Sequence, residues 1–332
     1  MTMLDPSDRS NPSRRSFLAL GVGAFVVATL PRALGPRRRM VRRTVPVMGT
    51  VAEFAVVHHD AAAAEAAIDA AVAELNRVER LMTRFSRHSE IGRANLLAAA
   101  GPVAVSAETA LVIREALRWA EASDGAFDPC LGAVTDLWDV KHRQAPPSAA
   151  EVLRVLGTQP FRHLELDRHN GESVVHFTAA GVQLDLGGIA KGYGVDLAVK
   201  ALRAHGIRDA IVNVGGDLYA MGVSEEGDPW RVGIRDPQDP RRLIGKLDVT
   251  DGAVATSGDY MQYFEHHGRR YHHILDPRTG EPRRVGMHSI TIAADDCMAA
   301  DAAATTFFGA PRAEADRSLA VIAPAARIVH EV

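Results

Sequence analysis

The stretch Leu184–Asp196 combines residue types that bind anions. Asp185 ends an apolar run, the pair Gly187-Gly188 follows, and Lys191 lies in the first turn of a helical pattern that stops at Gly206. A glycine turn lets a ligand approach the backbone closely, and a helix N-terminus attracts anions. A lysine in a first turn opposes the helix dipole unless an anion lies beside it. We expect a strand, a glycine turn and a helix that hold an anion; an ordinary packing turn is the alternative.

This turn differs from the two common phosphate-binding loops. It has neither the P-loop pattern, in which Gly-Lys-Ser/Thr closes a glycine-rich loop, nor the Gly-x-Gly-x-x-Gly pattern of dinucleotide-binding folds. A P-loop kinase and a nicotinamide dehydrogenase are therefore not favoured.

Two residues near the C-terminus could bind a metal ion together. Asp301 and Thr305 are four residues apart in an alanine-rich helical pattern, so they share one helix face. A carboxylate and a hydroxyl suit a hard ion such as Mg²⁺. The surrounding alanines predict a buried face, where an unpaired aspartate is costly. The alternative is an aspartate and a threonine on a solvated face.

Two turns enclose an aromatic residue in the stretch Asp124–Pro129. Asp-Gly and Asp-Pro favour turns, and between them Phe127 could form a rigid wall against a ring. From the residues alone, Asp124 and Asp128 are better explained as turn caps. Trp138 either extends this wall or belongs to the core.

Histidines and further polar residues follow the later strands. A buried strand at 210–214 runs into Gly-Gly-Asp, so Asn213 and Asp217 are candidates for supporting the site. His272 and His273 are adjacent, and adjacent strand residues face opposite ways, so they cannot easily share one metal ion.

Composition excludes several classes of protein. The 332 residues carry a net charge of −3, so the chain lacks the excess of positive charge that is typical of nucleic-acid-binding proteins. Two cysteines make neither a disulfide framework nor a metal cluster. A single bridge between Cys130 and Cys297 is left open.

The N-terminus predicts a targeting segment. Arg14 and Arg15 precede the apolar run Phe17–Leu30, which is shorter than the roughly 20 residues of a membrane span. This pattern favours a Tat-type signal peptide and basic linker over 1–39, followed by one domain over 40–332. An uncleaved anchor or a chance basic patch is the alternative.

Hydrophobic periodicity predicts an α+β fold with mixed, largely antiparallel sheets and packed helices in a single compact unit. The predicted helices cover 61–85, about 106–122 and the stretch from Ile189 to His205. The predicted strands include 50–57, 182–186, 210–214, 230–234, 243–249 and 288–293, a hairpin around Asn170-Gly171, and a pair formed by 253–260 and 272–280.

Five stretches, in order, resemble signatures of the FAD:protein FMN transferases, also called the ApbE-like family. They are Met48-Gly49-Thr50, Asp124–Pro129, Leu184–Asp196, Asn213–Asp217 and His273–Gly280. The resemblance extends from Val47 to about Gly309. The lipoprotein cysteine of many members is replaced here by the Tat-like signal.

This resemblance implies transfer of FMN from FAD to a threonine or serine hydroxyl of another protein, with release of AMP. It implies Mg²⁺, with Mn²⁺ as the alternative ion, held by the Gly188 carbonyl, Asp301 and Thr305. It also implies a set of residues that bind FAD: Met48, Ala126, Phe127, Asp128, Asp185, Lys191 and Ile274. Lys191 and Asp185 are expected to take part in the reaction, and His273 is the candidate proton acceptor.

The implied acceptor is a flavin-bearing subunit of an extracytoplasmic respiratory redox complex that presents a Thr or Ser loop. The expected location is periplasmic, with membrane contact through the signal segment or the acceptor at most. Two other classes stay open: a pyrophosphatase that splits FAD to FMN and AMP, and a non-catalytic FAD-binding protein. The pair Asp301 and Thr305 argues against simple FAD retention, which needs no metal.

Overall fold

A seven-stranded antiparallel sheet lies at the centre of the computed structural model, which describes residues 25–27, 38–239 and 241–332. From one edge to the other, its strands are β2 (Arg39–Val47), β3 (Thr50–His58), β7 (Asp209–Val214), β8 (Asp217–Met221), β11 (Gly252–Gly258), β14 (Ser289–Ala294) and β15 (Arg327–Glu331). The inner strands β7, β8 and β14 are buried along their whole length, which explains their nearly continuous apolar sequences.

Helices cover one face of this sheet, except for two short ones that pack against each other in a separate apolar cluster. In chain order the helices are α1 (Ala61–Met82), α2 (Glu90–Leu97), α3 (Ala107–Ala122), α4 (Gly132–Trp138), α5 (Ala149–Val155), α6 (Ala190–Ala204), α7 (Cys297–Phe307) and α8 (Arg312–Ile322). The two short ones are α4 and α5. Helix α6 packs between α1 and α7, and α7 lies against β11 and β14. Asp60, Ser106 and Asp296 cap α1, α3 and α7 with side-chain oxygens, as the sequence pattern requires.

Smaller antiparallel sheets complete the fold. They are formed by β1 (Phe25–Val27), β9 (Trp230–Arg235) and β10 (Leu243–Val249); by β4 (Val103–Val105), β6 (Glu172–Phe177) and β5 (Leu164–His169); and by β12 (Tyr263–His266) with β13 (Arg269–His272). Along β3, Phe54 and Val56 face the helices, whereas Ala55 and Val57 face the core shared with β9. The α+β fold and its antiparallel sheets are as predicted.

Two tight turns meet at one end of the central sheet. Met48 and Gly49 have φ of 51° and 71° in the turn between β2 and β3, and Gly215 and Gly216 have φ of 61° and 104° between β7 and β8. Such left-handed pairs match the twist of a two-residue hairpin. A Cβ on Gly215 would lie 2.7 Å from the Thr50 hydroxyl, so the two turns are in contact.

Two predicted strand assignments are wrong. Residues 182–186 are extended but form no regular strand; they have one isolated bridge, between Leu131 and Gln183. Strand β11 pairs with β8 and β14 rather than with the stretch 272–280, which ends β13 and then forms a turn. The first predicted helix ends at Met82 instead of Phe85.

The predicted signal segment over 1–39 falls outside the described residues, except for 25–27 and 38–39, and it stays a prediction. No helix in the ranges given above combines the length and the apolar character that a membrane crossing requires. Cys130 and Cys297 are both buried and free, so the bridge left open by the sequence is not formed.

Helices α6 and α7 approach closely at Gly192, which gives a stability prediction. A Cβ there would lie 2.2 Å from the Cys297 carbonyl oxygen, whereas one on Gly194 would meet only side-chain atoms of Leu75 and Met48, at 3.1 Å and beyond. We expect Gly192→Ala to lower the free energy of unfolding by about 3 kcal/mol, because backbone must move. Gly194→Ala should change it by less than about 1 kcal/mol. Urea unfolding measures both, and equal stability of the two variants would contradict the prediction.

Candidate active site

Lys191 lies between two buried carboxylates. Its ammonium contacts Asp217 and lies 3.0 Å and 3.1 Å from the two carboxylate oxygens of Asp301. Helix α6 supplies the lysine, β8 begins with Asp217, and α7 carries Asp301 in its second turn. The backbone N–H of Gly192 also donates to Asp301, at 3.1 Å. Three elements distant in sequence therefore meet at one charged cluster.

The charges of this cluster do not balance within the protein. Burial alone would lower the pKa of Lys191, but the charges of Asp217 and Asp301 raise it. Burial and the neighbouring Asp301 raise the pKa of Asp217. Two carboxylates against one ammonium leave negative charge in a buried place, which either a proton on Asp217 or a further cation would offset.

Gly188 lies in a narrow slot beside this cluster. A Cβ on Gly188 would be 3.1 Å from the Phe127 ring, 3.0 Å from the Thr305 methyl carbon and 3.1 Å from the Thr305 hydroxyl oxygen. The slot therefore has Phe127 as one wall and Thr305 as the other, and only a glycine fits without displacement. The Thr305 hydroxyl has no hydrogen-bond partner among the described residues.

The donor set fits a hard divalent cation. Among the described residues, no group of three or more His, Cys, Asp and Glu side chains is placed to hold a metal ion. The predicted ligands are a carboxylate, a hydroxyl and a carbonyl, which are the oxygen ligands that Mg²⁺ prefers. Thr305 lies against the Gly188 position, and Asp301 precedes Thr305 by one turn of α7, with its carboxylate on Lys191.

Asp185 is engaged on both carboxylate oxygens. One accepts the N–H of Gly187 at 2.9 Å, and the other lies 3.1 Å from the Arg84 guanidinium. The extended segment before it is held by Asn95, whose amide group exchanges hydrogen bonds of 2.9 Å and 2.7 Å with the backbone of Leu184. A side-chain amide thus satisfies the backbone of Leu184 in the segment that the sequence predicts to be a strand.

The two adjacent histidines face different partners. His272 is buried, its Nε2 lies 2.9 Å from the Arg283 carbonyl, and its Nδ1 accepts the N–H of Ile274. His273 directs Nδ1 to the Gln262 carbonyl at 3.2 Å. Because Nδ1 donates there, the lone pair of His273 is on Nε2. Burial lowers the pKa of His273 to about 4, and the charges of Lys191 and Lys141 act in the same direction.

Asp128 is buried, and its side chain bonds to backbone groups. Its carboxylate accepts the N–H groups of Cys130 at 2.8 Å and Phe161 at 3.2 Å, and burial raises its pKa to about 6. This is the turn-capping role that the residues alone suggested. The loop it holds presents Phe127 to the slot at Gly188.

Trp138 belongs to the core. Its ring stacks on Tyr271 and its N–H donates to the Gly280 carbonyl at 2.6 Å, within an apolar cluster that includes Val152 and Phe264. It therefore supports the turn after β13 rather than the wall around Phe127.

A model of the ApbE family matches residues 48–326. The chain belongs to the ApbE family. Among curated relatives, an FAD:protein FMN transferase from Treponema pallidum is 36% identical over 292 residues, which cover 82% of this chain and 79% of the relative.

Solved ApbE structures share the fold. The crystal structure of the ApbE protein from Thermotoga maritima has a TM-score of 0.78 at 31% identity, and covers 87% of this chain and 93% of that chain. The flavin transferase ApbE from Vibrio cholerae has a TM-score of 0.74 at 29% identity, and covers 86% and 91%. The resemblance found in the sequence is thus confirmed at the level of family and fold.

Met48, Ile274 and Lys191 of this ApbE protein have the following contacts. Met48 donates its N–H to Glu79 and its sulfur lies against Gly194, while Ile274 is buried and receives the N–H of Arg283 on its carbonyl. Lys191 differs from expectation in its contacts, because it binds Asp217 and Asp301 instead of facing an open anion site. The predicted roles of these residues in FAD and metal binding stay predictions.

Sequence reasoning assigned no role to several residues that shape this site. Asp196 accepts the N–H groups of Cys297 and Met298 and so fixes the start of α7; burial raises its pKa to about 7. Arg84 and Asn95 lie in the loop and helix after α1. The Asn95 amide bonds to the backbone of Leu184, and the Arg84 guanidinium pairs with Asp185. Residue spacing alone could not reveal these partners.

Lys141 is a further cation near the site. Its ammonium lies 3.7 Å from the Cβ position of Gly49, in the turn that carries Met48, and it has no hydrogen bond or ion pair with the described residues. Desolvation and the charge of Arg84 lower the pKa of Lys141. The side chain is exposed, so its ammonium is accessible to an anionic ligand from solution.

Proposed function

We propose that this protein transfers FMN from FAD to a threonine or serine hydroxyl of an acceptor protein, with AMP as the leaving group. The observation that carries this proposal is the meeting of Lys191, Asp217 and Asp301 beside the slot at Gly188. The relatives named FAD:protein FMN transferase support the same chemistry. In this reaction the acceptor oxygen forms a bond to the FMN phosphorus, and the bond from that phosphorus to the bridging oxygen breaks.

A bound Mg²⁺ would neutralise charge on the pyrophosphate of FAD as AMP leaves. We propose that Asp301, Thr305 and the Gly188 carbonyl hold this ion, with Mn²⁺ as the alternative. The unbalanced negative charge around Lys191 and the unpartnered Thr305 hydroxyl support that choice of residues.

The remaining residues would orient the nucleotide and accept the proton. Phe127 gives the slot an apolar wall, and Asp185 is held by Arg84 at its mouth. The free Nε2 of His273 is suited to accept the proton of the acceptor hydroxyl, since the imidazole is neutral near pH 7. Lys191 keeps the two carboxylates from repelling each other.

Intact-mass spectrometry tests this proposal. The purified protein is incubated with FAD, Mg²⁺ and a candidate acceptor domain that presents a Thr loop, and the acceptor is weighed. A gain of one FMN that requires the metal supports the transferase. Cleavage of FAD to FMN and AMP with no gain on the acceptor would make the protein a pyrophosphatase, and binding without cleavage would leave an FAD-binding protein.

We also propose where the reaction occurs. The twin arginines before the apolar run at 17–30 favour Tat export, so the acceptor would be a flavin-bearing subunit of an extracytoplasmic redox complex. Fractionation of cells that produce the full chain, with the twin arginines changed to lysines as the control, would locate the protein.

Lys141 gives a prediction about FAD binding. We expect Lys141→Met to raise the KM for FAD about threefold to tenfold with kcat little changed, because a partly desolvated charge interaction contributes to binding alone. Lys200→Met removes an exposed lysine from α6 and is the matched control. An unchanged KM in Lys141→Met would show that this ammonium lies outside the FAD site.

A further inference from the structure

Arg283 is a largely buried cation that binds backbone carbonyls. One terminal nitrogen of its guanidinium donates to the carbonyls of Thr305 at 3.1 Å, Thr306 at 2.9 Å and Phe308 at 2.8 Å. The other donates to the carbonyl of Ala126 at 2.5 Å. No ion pair in the described part of the chain includes Arg283, and burial lowers its pKa to about 10.

The first three acceptors belong to the C-terminal end of α7. The last carbonyls of a helix lack partners within it and carry partial negative charge. Arg283 supplies the compensating charge, and the two hydrogens of one terminal nitrogen are shared among these three carbonyls. The position of the last turn of α7, which contains Thr305, therefore depends on where this guanidinium lies.

The fourth acceptor belongs to the opposite wall of the slot. Ala126 precedes Phe127, whose ring lies 3.1 Å from the Cβ position of Gly188, and Thr305 lies against the same position at about the same distance. A single planar guanidinium thus ties both walls together. Its fork geometry fixes their separation, because each nitrogen donates in a set direction.

The backbone of Arg283 ties a third segment to the same place. Its N–H donates to the carbonyl of Ile274 at 3.0 Å, and its carbonyl accepts from Nε2 of His272 at 2.9 Å. The residue between these two partners is His273. Arg283 therefore connects the slot, the last turn of α7 and the segment that carries the candidate base.

We infer that Arg283 is a positioning residue that sets the width of the slot at Gly188 and, through it, the affinity of the Thr305 end of the slot for a divalent cation. This inference rests on the metal ligands named in the proposed function. An arginine that only stabilises the fold is the competing explanation, so the test must separate cation affinity from stability.

The test measures Mn²⁺ binding to the FAD-free protein by the EPR signal of the free ion. We expect Arg283→Met to weaken Mn²⁺ binding about 10- to 100-fold, the usual effect of losing a residue that orients metal ligands. Arg284→Met removes the exposed neighbour that pairs with Glu281 and should bind Mn²⁺ like the wild type. FMN transfer by Arg283→Met should recover as Mg²⁺ is raised.

Arg283→Lys keeps the test decisive if Arg283→Met does not fold. A lysine keeps the charge but lacks the planar fork, so it can satisfy the α7 carbonyls or Ala126 but not both walls. Its Mn²⁺ affinity should lie between those of the wild type and Arg283→Met. A folded Arg283→Met or Arg283→Lys that binds Mn²⁺ as tightly as the wild type overturns the inference, whatever its melting temperature.

The two proposals fail separately. Weakened Mn²⁺ binding in the Arg283 variants, together with a wild type that modifies no acceptor, would remove the proposed function and leave this inference in place. If the wild type transfers FMN but the Arg283 variants bind Mn²⁺ as tightly as the wild type, the proposed function stands and the inference about Arg283 is removed.

Discussion

Asp301→Asn should abolish most FMN transfer while leaving the protein folded. Asparagine keeps the size of the side chain and one acceptor for the Gly192 N–H, but it removes the charge that a divalent cation needs. The loss of several kcal/mol of transition-state stabilisation corresponds to a fall in rate of at least about 100-fold. Transfer of FMN, followed by the mass of the acceptor, measures this effect.

Stability should respond much less to the same change. Lys191 keeps its contact with Asp217, and the repulsion between the two carboxylates disappears, so the melting temperature should move by no more than about 4 °C. Asp295→Asn alters an exposed aspartate just before α7 and is the control for the chemistry of the substitution. Transfer within about threefold of the wild type in Asp301→Asn would remove Asp301 from the metal site.

The placement of Asp301 and Thr305 on one face of a helix could be predicted, because it depends on local geometry. Four-residue spacing places two side chains on one face of any α-helix, and an alanine-rich surround predicts burial. The structure has both on α7 with Asp301 buried. The sequence also predicts the end of the buried strand at Gly215-Gly216, and the structure has a tight turn there with both glycines at positive φ. The sequence does not predict the turn at Met48-Gly49, because a methionine rarely adopts a positive φ.

The contacts of Lys191 could not be predicted in the same way. A lysine near a glycine turn favours an anion, but the sequence does not say whether that anion is a phosphate or a carboxylate of the protein. Here it is Asp217 and Asp301, which are 26 and 110 residues further along the chain. Long-range pairing of this kind is decided by how sheets and helices assemble, not by spacing.

The extended segment at 182–186 shows a related limit. Alternation of apolar residues correctly indicates an extended backbone, but a strand also needs a partner with free N–H and C=O groups. Asn95 supplies both groups from a side chain, so the backbone of Leu184 is satisfied without a strand beside it.

Arg283 shows why the sequence pattern does not reveal some residues of the site. Its partners are backbone carbonyls, and a backbone carbonyl has the same chemistry at every position. Neither charge complementarity nor spacing could therefore connect Arg283 with Ala126 or Thr305. Only the assembled fold shows that one guanidinium reaches both.

His273→Asn should reduce kcat for FMN transfer by about 100- to 10,000-fold, the usual contribution of a general base. The asparagine amide can still donate to the Gln262 carbonyl, so the local backbone should stay in place while the basic nitrogen is lost. The same substitution at His267, which is exposed in the turn between β12 and β13, should leave kcat unchanged. If His273→Asn keeps wild-type kcat, another group takes the proton.

The pH dependence of the rate gives an independent test of the same assignment. Burial holds the pKa of His273 near 4, below its ordinary 6.5, so the base stays unprotonated and competent as the pH falls through 6. The acid limb of kcat/KM that belongs to His273 should therefore have its midpoint near pH 4. That limb should be present in the wild type and in His267→Asn, and absent from the residual activity of His273→Asn.

The low pKa of His273 also predicts that the free energy of unfolding falls as the pH is lowered. Between pH 6.5 and about 4 the unfolded chain binds a proton at His273 that the folded chain does not, so this group's contribution to stability is complete above pH 6.5 and is lost as the pH falls towards 4. His273→Asn removes that contribution, so its free energy of unfolding should decline less steeply than that of the wild type over this range. An acid limb near pH 6.5, with equal slopes of stability in the two proteins, would mean that His273 titrates like an exposed histidine and is not held neutral by the fold.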